Sequence, residues 1–220
     1  MNDAPTPTLD APSVEAPKSA ARRGPPGGAK HELKRTAILR TAAQLFAEHG
    51  YEATSLDMIA ERLGMHKATL YHYIDNKENI LYECLVKSFG DLDAVIVKMQ
   101  DRSVPPLERL RLFVRSLALA QNNDFGRCLV LVGSRPLDMT PDNKIRQFQR
   151  RLDTTVRDLI TEGIADGSVR PCHPGMFCAL LFGALNWVPR WYSDKGKLSV
   201  EAVADQFMDL LTQGIEAAPR

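Results

Sequence analysis

The feature that most limits how this chain folds is a glycine set between two very short apolar-striped segments. Leu56, Ile59, Ala60 and Leu63 recur at helical spacing and stop at Gly64, the residue that enters a left-handed turn at least steric cost. Thr54-Ser55-Leu56-Asp57 places a capping hydroxyl three residues before an acid and starts that segment. A further helix must begin near Lys67 and end before Asp75. In front of both lies a longer stripe from His31 to His49, made of Leu33, Ala37, Ile38, Ala42, Leu45 and Phe46 and closed by Gly50. Two short helices around a tight glycine turn, supported by a longer one, outline a helix-turn-helix.

The rest of the chain reads as helix after helix, so the expected fold class is all-α. Asp75-Asn76-Lys77-Glu78 is a capping box that opens one long helix carrying Ile80, Leu81, Cys84, Leu85, Phe89, Leu92, Val95, Ile96 and Met99. Further helices are expected at about 105–121, 125–133, 141–166, 174–192 and 199–216. Thr140-Pro141 gives the start of the third of these and Ser199 caps the last. Periodicity alone leaves Cys128 to Val132 open between a helix and a buried strand. Residues 1–29 are rich in Ala, Pro and Gly and are expected to be disordered when free. Charge changes along this arm: Arg22, Arg23, Lys30, Lys34, Arg35 and Arg40 follow one another with only Glu32 among them. The expected division is an arm over 1–29, a head over 30–76 and a helical body over 77–217.

Composition narrows the function classes. A chain of 220 residues with net charge +1 has no global attraction to nucleic acid or membrane, so any such affinity must be local. Cys84, Cys128, Cys172 and Cys178 lie mostly on apolar stretches, the setting of reduced, buried thiols. Cys172-His173 with Cys178 lacks paired CxxC spacing, so no metal or other cofactor is expected. No signal peptide and no membrane span is read; the nearest apolar run, Met176 to Val188, is interrupted by Asn186, and the expected location is the cytoplasm. No Gly-rich phosphate loop, HExxH or GxSxG occurs, and no catalytic residue is assigned.

On a helix from Lys67, Leu70 and Ile74 share one side and can pack inward, leaving Lys67, Ala68, Thr69, Tyr71, His72 and Tyr73 spread outward. An element of that size fits a DNA major groove. Thr and His bond base edges, Ala68 permits close approach, and tyrosine hydroxyls and lysines reach phosphates. Thr54 and Ser55 offer hydroxyls and backbone N–H groups for a phosphate. The plainer alternative is that the tyrosines and the histidine only cover a neighbouring helix.

Arg40-Thr-Ala-Ala-Gln-Leu-Phe-Ala-Glu-His-Gly-Tyr-Glu-Ala-Thr-Ser-Leu, Ile59-Ala-Glu-Arg-Leu-Gly-Met, Lys67-Ala-Thr-Leu-Tyr-His-Tyr and Asn76-Lys-Glu together resemble the N-terminal signature of TetR-type regulators. The resemblance covers about residues 33–82. It implies a three-helix DNA-binding head, an all-helical ligand-binding and dimerising body, and repression relieved by a ligand. Carried over by position, the implied DNA contacts are Lys67, Thr69, Tyr71, His72 and Lys77, with Thr54, Ser55, Ala68 and Tyr73 behind them. His66 stands where that family often has a capping serine, and Ile74-Asp75 replaces a common Phe-Pro.

The segment from Pro174 is apolar nearly all round, which a dimer buries more readily than a lone body. A homodimer through the last two helices is therefore expected, with an inverted-repeat operator in double-stranded DNA. Trp187 and Trp191 lie one turn apart, with Pro189 and Arg190 between them; subunit packing and ligand contact both suit such a cluster. The tail through Trp191-Tyr-Ser-Asp-Lys-Gly-Lys-Leu-Ser is similar to TetR-type members that sense acyl-CoA thioesters of lipid or steroid catabolism. That second resemblance implies Phe113, Phe125, Phe148 and Phe177 around an acyl chain, Trp187 and Trp191 nearby, and Arg190 or the Arg146, Arg150, Arg151 group at CoA phosphates. The rival readings are a repressor sensing a hydrophobic drug and a helical adaptor that ignores DNA.

Overall fold

The computed structural model describes residues 28–137 and 144–214, apart from the side chain of Asp91. The acidic half of the arm with Arg22 and Arg23, and the Thr140-Pro141 start signal, lie outside the described residues. Ten α-helices occur in the described residues, and no strand. They are α1 (Gly28–His49), α2 (Leu56–Arg62), α3 (Lys67–Leu70), α4 (Lys77–Lys87), α5 (Gly90–Lys98), α6 (Pro106–Asn122), α7 (Asp124–Val132), α8 (Lys144–Ala165), α9 (Pro174–Trp191) and α10 (Val200–Gln213).

Helix α6 is the axis of the body and touches α5, α7, α8, α9 and α10; α1 packs on α2, α4 and α7. One continuous apolar cluster runs from Ile38, Leu39 and Phe46 of α1 through Leu81 and Leu85 of α4 to Phe113 and Leu117 of α6. Each such fully buried side chain stabilises the fold by about 1.5–3 kcal/mol. A core that crosses the expected boundary at residue 76 means head and body are mechanically joined.

Two departures from sequence expectation, and one choice it left open, have local causes. The cap of α2 is Ser55, whose Oγ accepts from Met58 N–H at 3.2 Å, rather than Thr54. The long helix expected from Lys77 to Met99 is broken at Ser88-Phe89. There the buried Ser88 hydroxyl donates back to the Leu85 carbonyl at 2.6 Å, and Phe89 turns in to stack on Phe148 with centroids 4.1 Å apart. Hydroxyl back-bonding of this kind bends helices, and Gly90 is a poor residue with which to continue one. Finally, the segment left open between helix and strand is α7. Its Gly126 sits so close to α6 that a Cβ there would lie 1.8 Å from the Ala120 carbonyl oxygen.

Helix α9 is two-faced in this chain, where the sequence suggested burial on every side. Cys178, Leu181, Leu185 and Val188 face the core, while Met176, Leu180, Trp187 and Trp191 are 62%, 61%, 59% and 51% exposed. These four fall at i, i+4, i+11 and i+15, a single outward stripe with Gly183 in its middle. The cysteines also divide: Cys84, Cys128 and Cys178 are buried, but Cys172 is exposed. Burial pushes the Cys128 thiol up to about 12 and the Cys178 thiol up to about 11, so neither is a nucleophile near neutrality.

Candidate nucleic-acid interface

Leu70 is fully buried and Ile74 almost so, and they tie α3, which packs on α2, into the core cluster that also holds Ile38 and Phe46 of α1. With that ridge turned in, Lys67, Ala68, Tyr71 and His72 are exposed and Thr69 is half-exposed. Helix α3 has one regular turn, followed by tight bonds from His72 N–H to Thr69 O at 3.2 Å and from Tyr73 N–H to Leu70 O at 2.9 Å. His66 takes the N-cap position but its side chain makes no capping bond, so the histidine does not replace the serine cap.

Neighbours orient the outward row. Lys67 Nζ donates to Asp57 Oδ2 of α2 at 2.8 Å, and this bond raises the lysine pKa from its ordinary value. Tyr73 is half-buried: its ring stacks on His31 at 4.7 Å, with Lys34 Nζ 5.8 Å from its centroid. The Tyr73 carbonyl accepts from Arg35 Nε at 3.3 Å, and Arg35 pairs with Glu83 of α4. Lys77 Nζ sits 4.2 Å from the Tyr51 ring and donates to the Glu52 carbonyl at 3.3 Å. The basic start of α1 therefore braces α3. Sequence reading placed Lys34 and Arg35 in a basic lead-in; their pairing with Tyr73 and Glu83, far along the chain, carries no sequence signal.

One expected contact is corrected. Thr54 is 1% exposed, its hydroxyl donating to the Leu45 carbonyl at 3.2 Å and the Gly50 carbonyl at 2.8 Å. Its backbone N–H is also used, bonded to Tyr51 O at 3.3 Å. Thr54 thus fastens the α1–α2 turn and has nothing left for a phosphate, whereas Ser55 beside it is exposed.

Comparison with known proteins matches both halves of this architecture. Residues 38–84 fit the family described as bacterial regulatory proteins, tetR family, and residues 103–215 fit the tetracyclin repressor-like C-terminal domain. The chain belongs to the TetR family. It is accordingly a helix-turn-helix, DNA-binding transcriptional regulator. The HTH-type transcriptional repressor KstR2 of Mycolicibacterium smegmatis is 28% identical over 185 residues, 83% of this chain and 90% of that protein. The TetR family transcriptional regulator PfmR from Thermus thermophilus is 33% identical, with a TM-score of 0.70 over 82% of this chain and 99% of that one. AibR in complex with isovaleryl coenzyme A and operator DNA is 27% identical, with a TM-score of 0.69 over 81% of this chain and 98% of that one.

In this TetR-family body the aromatic residues expected around a ligand do not converge. Phe113 is buried in the α6 core, Phe148 is buried against Phe89, and Phe125 is half-buried on α7. Phe177 lines a cavity, while Trp187 and Trp191 are more than half exposed. Arg146 and Arg150 are exposed on α8, and Arg151 pairs with Asp93 at 2.7 Å.

Two body cavities stand at opposite ends of the helices. One of about 520 Å³ lies between α7, the first half of α8 and the second half of α9, with Leu129, Leu152 and Phe182 as apolar wall and Gln121, Asn186 and Arg190 as polar wall. Gln121 Nε2 donates to Asn186 Oδ1 at 2.7 Å, and the Arg190 guanidinium lies 5.1 Å from the Trp187 ring. The other, of about 320 Å³, lies between the start of α6, the end of α8 and the start of α9. Among the described residues no helix is long and apolar enough to cross a membrane, and no cluster of three metal-ligating side chains occurs.

Proposed function

We propose that two copies of this chain pair through α9 and α10 and present their α3 segments to successive major grooves of an inverted-repeat operator, from which an acyl-CoA thioester releases them. The observation that carries the DNA reading is the outward row Lys67, Ala68, Thr69, Tyr71 and His72 above a buried Leu70. Tyr71 and His72 meet bases and backbone; Ser55, Lys67 and Lys77 meet phosphates; Tyr73, held by His31 and Arg35, fixes the angle of the row. Residues 30–76 act as the head and 77–217 as the body. The protein acts in the cytoplasm, where its operator is.

Pairing is supported by the apolar stripe of α9 and by Leu210 of α10, 53% exposed. Contiguous apolar surface of this kind marks an interface. The effector reading is supported by the isovaleryl coenzyme A bound to AibR and by the wall of the larger cavity, where leucines and Phe182 suit an acyl group and Arg190 suits a CoA phosphate. The route to DNA runs along α7. Leu129 and Val130 line that cavity, and at the other end of the helix Asp124 accepts from Gln44 at 3.0 Å and pairs with Arg40 at 3.3 Å, both on α1. A ligand that displaces α7 and the adjoining α4 swings the head and spoils the spacing of the two α3 segments.

Recovery of bound genomic fragments, followed by titration with acyl-CoAs against free CoA, tests both halves. Salt-dependent binding to a palindrome that an acyl-CoA relieves is the expected result. Release by a hydrophobic drug and by no acyl-CoA replaces the effector; indifference to duplex DNA at low salt removes the whole reading.

A further inference from the structure

The smaller cavity differs from the effector cavity in position and in charge. Leu107, Leu110, Ile160 and Phe177 form its floor, Met176 and Leu180 at the start of the α9 stripe form its outer wall, and the loop from Ser168 to His173 forms its mouth. No aspartate or glutamate lines it, whereas the larger cavity sets Asp153 against Arg190. At the mouth stands Arg170, which makes no hydrogen bond or ion pair with any described residue. Five other arginines of the body are committed to carboxylates: Arg109 to Glu162, Arg111 to Asp209, Arg115 to Asp205, Arg151 to Asp93 and Arg157 to Asp153. His173 accepts from Gly175 N–H through Nδ1 at 3.1 Å, so its Nε2 remains open to a ligand.

We propose that this cavity is a second small-molecule site, which takes a small amphipathic monocarboxylate with its apolar chain on the leucine floor and its carboxylate on Arg170. An apolar hollow of about 320 Å³ offers water few partners, so it favours hydrocarbon. It is at the lower end of volumes typical of small-molecule sites, which suits a short chain and excludes a nucleotide-bearing thioester. The guanidinium of Arg170, with no aspartate or glutamate among the lining residues, selects one negative charge and rejects an amine. Helix α7 does not line this cavity, so the site is separate from the effector reading and does not rest on it.

Cys172 supplies a reporter, because it lines the mouth and is the exposed cysteine among the described residues, while Cys84, Cys128 and Cys178 are buried. The experiment labels the full chain, without DNA, with neutral N-ethylmaleimide and follows the first adduct by mass spectrometry in rising octanoate or octylamine. Octanoate is expected to suppress Cys172 labelling saturably and octylamine is not; Cys172→Ser shows that the adduct reports this site. Arg170→Glu, a change at an exposed position, is expected to weaken octanoate by on the order of tenfold and to pass protection to octylamine. Equal effects of the two amphiphiles, protection that never saturates, or octanoate protection retained in Arg170→Glu overturns the site. None of these readouts depends on operator binding or its release.

Discussion

Helices α3 and α9 each leave a face uncovered, and the two faces are opposite in kind. On α3 the outward side chains are polar and several are already oriented: Lys67 by Asp57, and Tyr73 by His31 and Arg35. On α9 the outward side chains are Met176, Leu180, Trp187 and Trp191, apolar and largely exposed in the single chain, with Met176 and Leu180 also at the wall of the smaller cavity. A pre-oriented polar row gains by meeting a fixed pattern of donors and acceptors on a charged polymer. An apolar stripe gains only by leaving water, which a second copy of the same stripe allows. One chain thus carries two contact surfaces whose chemistries cannot be exchanged.

The strongest attempt to break this comparison acts on α9. A Cβ added to Gly183 meets nothing within 4 Å, so Gly183→Arg leaves the single chain folded and places a charge in the middle of the stripe. Sedimentation is expected to show a monomer, and operator affinity to fall by about two to four orders of magnitude as the two heads lose their link. A dimer that survives Gly183→Arg moves the interface elsewhere.

Changes on α3 are expected to act the other way, leaving assembly intact. Tyr71→Ala or His72→Ala should each cost about 1–3 kcal/mol of operator binding, read by fluorescence anisotropy. Lys67→Ala should weaken binding to all sequences alike and reduce the salt slope by about one. Within the head, Thr54→Val sharpens the distinction between inward and outward groups. It removes a buried hydroxyl bonded to two carbonyls and should lower stability by about 1–3 kcal/mol in urea melts, while Ser55→Ala loses only a cap worth about 1 kcal/mol.

The smallest effect concerns the ion pair that ties α10 to α6 beside α9. Arg115 beside Asp205 holds that carboxyl below its ordinary value of 3.8. A carboxylate with a depressed folded pKa contributes stability above its unfolded value and loses it as pH falls through the folded one. Asp205→Asn is therefore expected to destabilise slightly at neutral pH, and the difference from the parent chain to vanish in acid below 3.8. A difference that persists in strong acid assigns the effect to packing instead.

Local signals were legible wherever a few neighbouring residues decide the outcome. Gly50 and Gly64 both adopt positive φ, 84° and 62°, as the helix stops required. Leu70 and Ile74 turned inward as their spacing demanded. The capping hydroxyl was legible only to within one residue, because Thr54 and Ser55 offer the same chemistry and only the Leu45 and Gly50 carbonyls choose between them. The break at Ser88 was hidden because Phe89 belongs to the same apolar stripe whether the helix continues or bends onto Phe148.

What the sequence by itself determined is the order of helices, the turn before α3 and the row of polar groups that α3 shows, since each follows from spacing within about two helical turns. The tertiary structure alone decided which aromatic side chains are core and which are surface, and that Gln121, Asn186 and Arg190 meet in one cavity while Arg170 stands unpaired at another. Those outcomes depend on how five helices pack around α6, and side chains far apart in sequence become neighbours only through that packing.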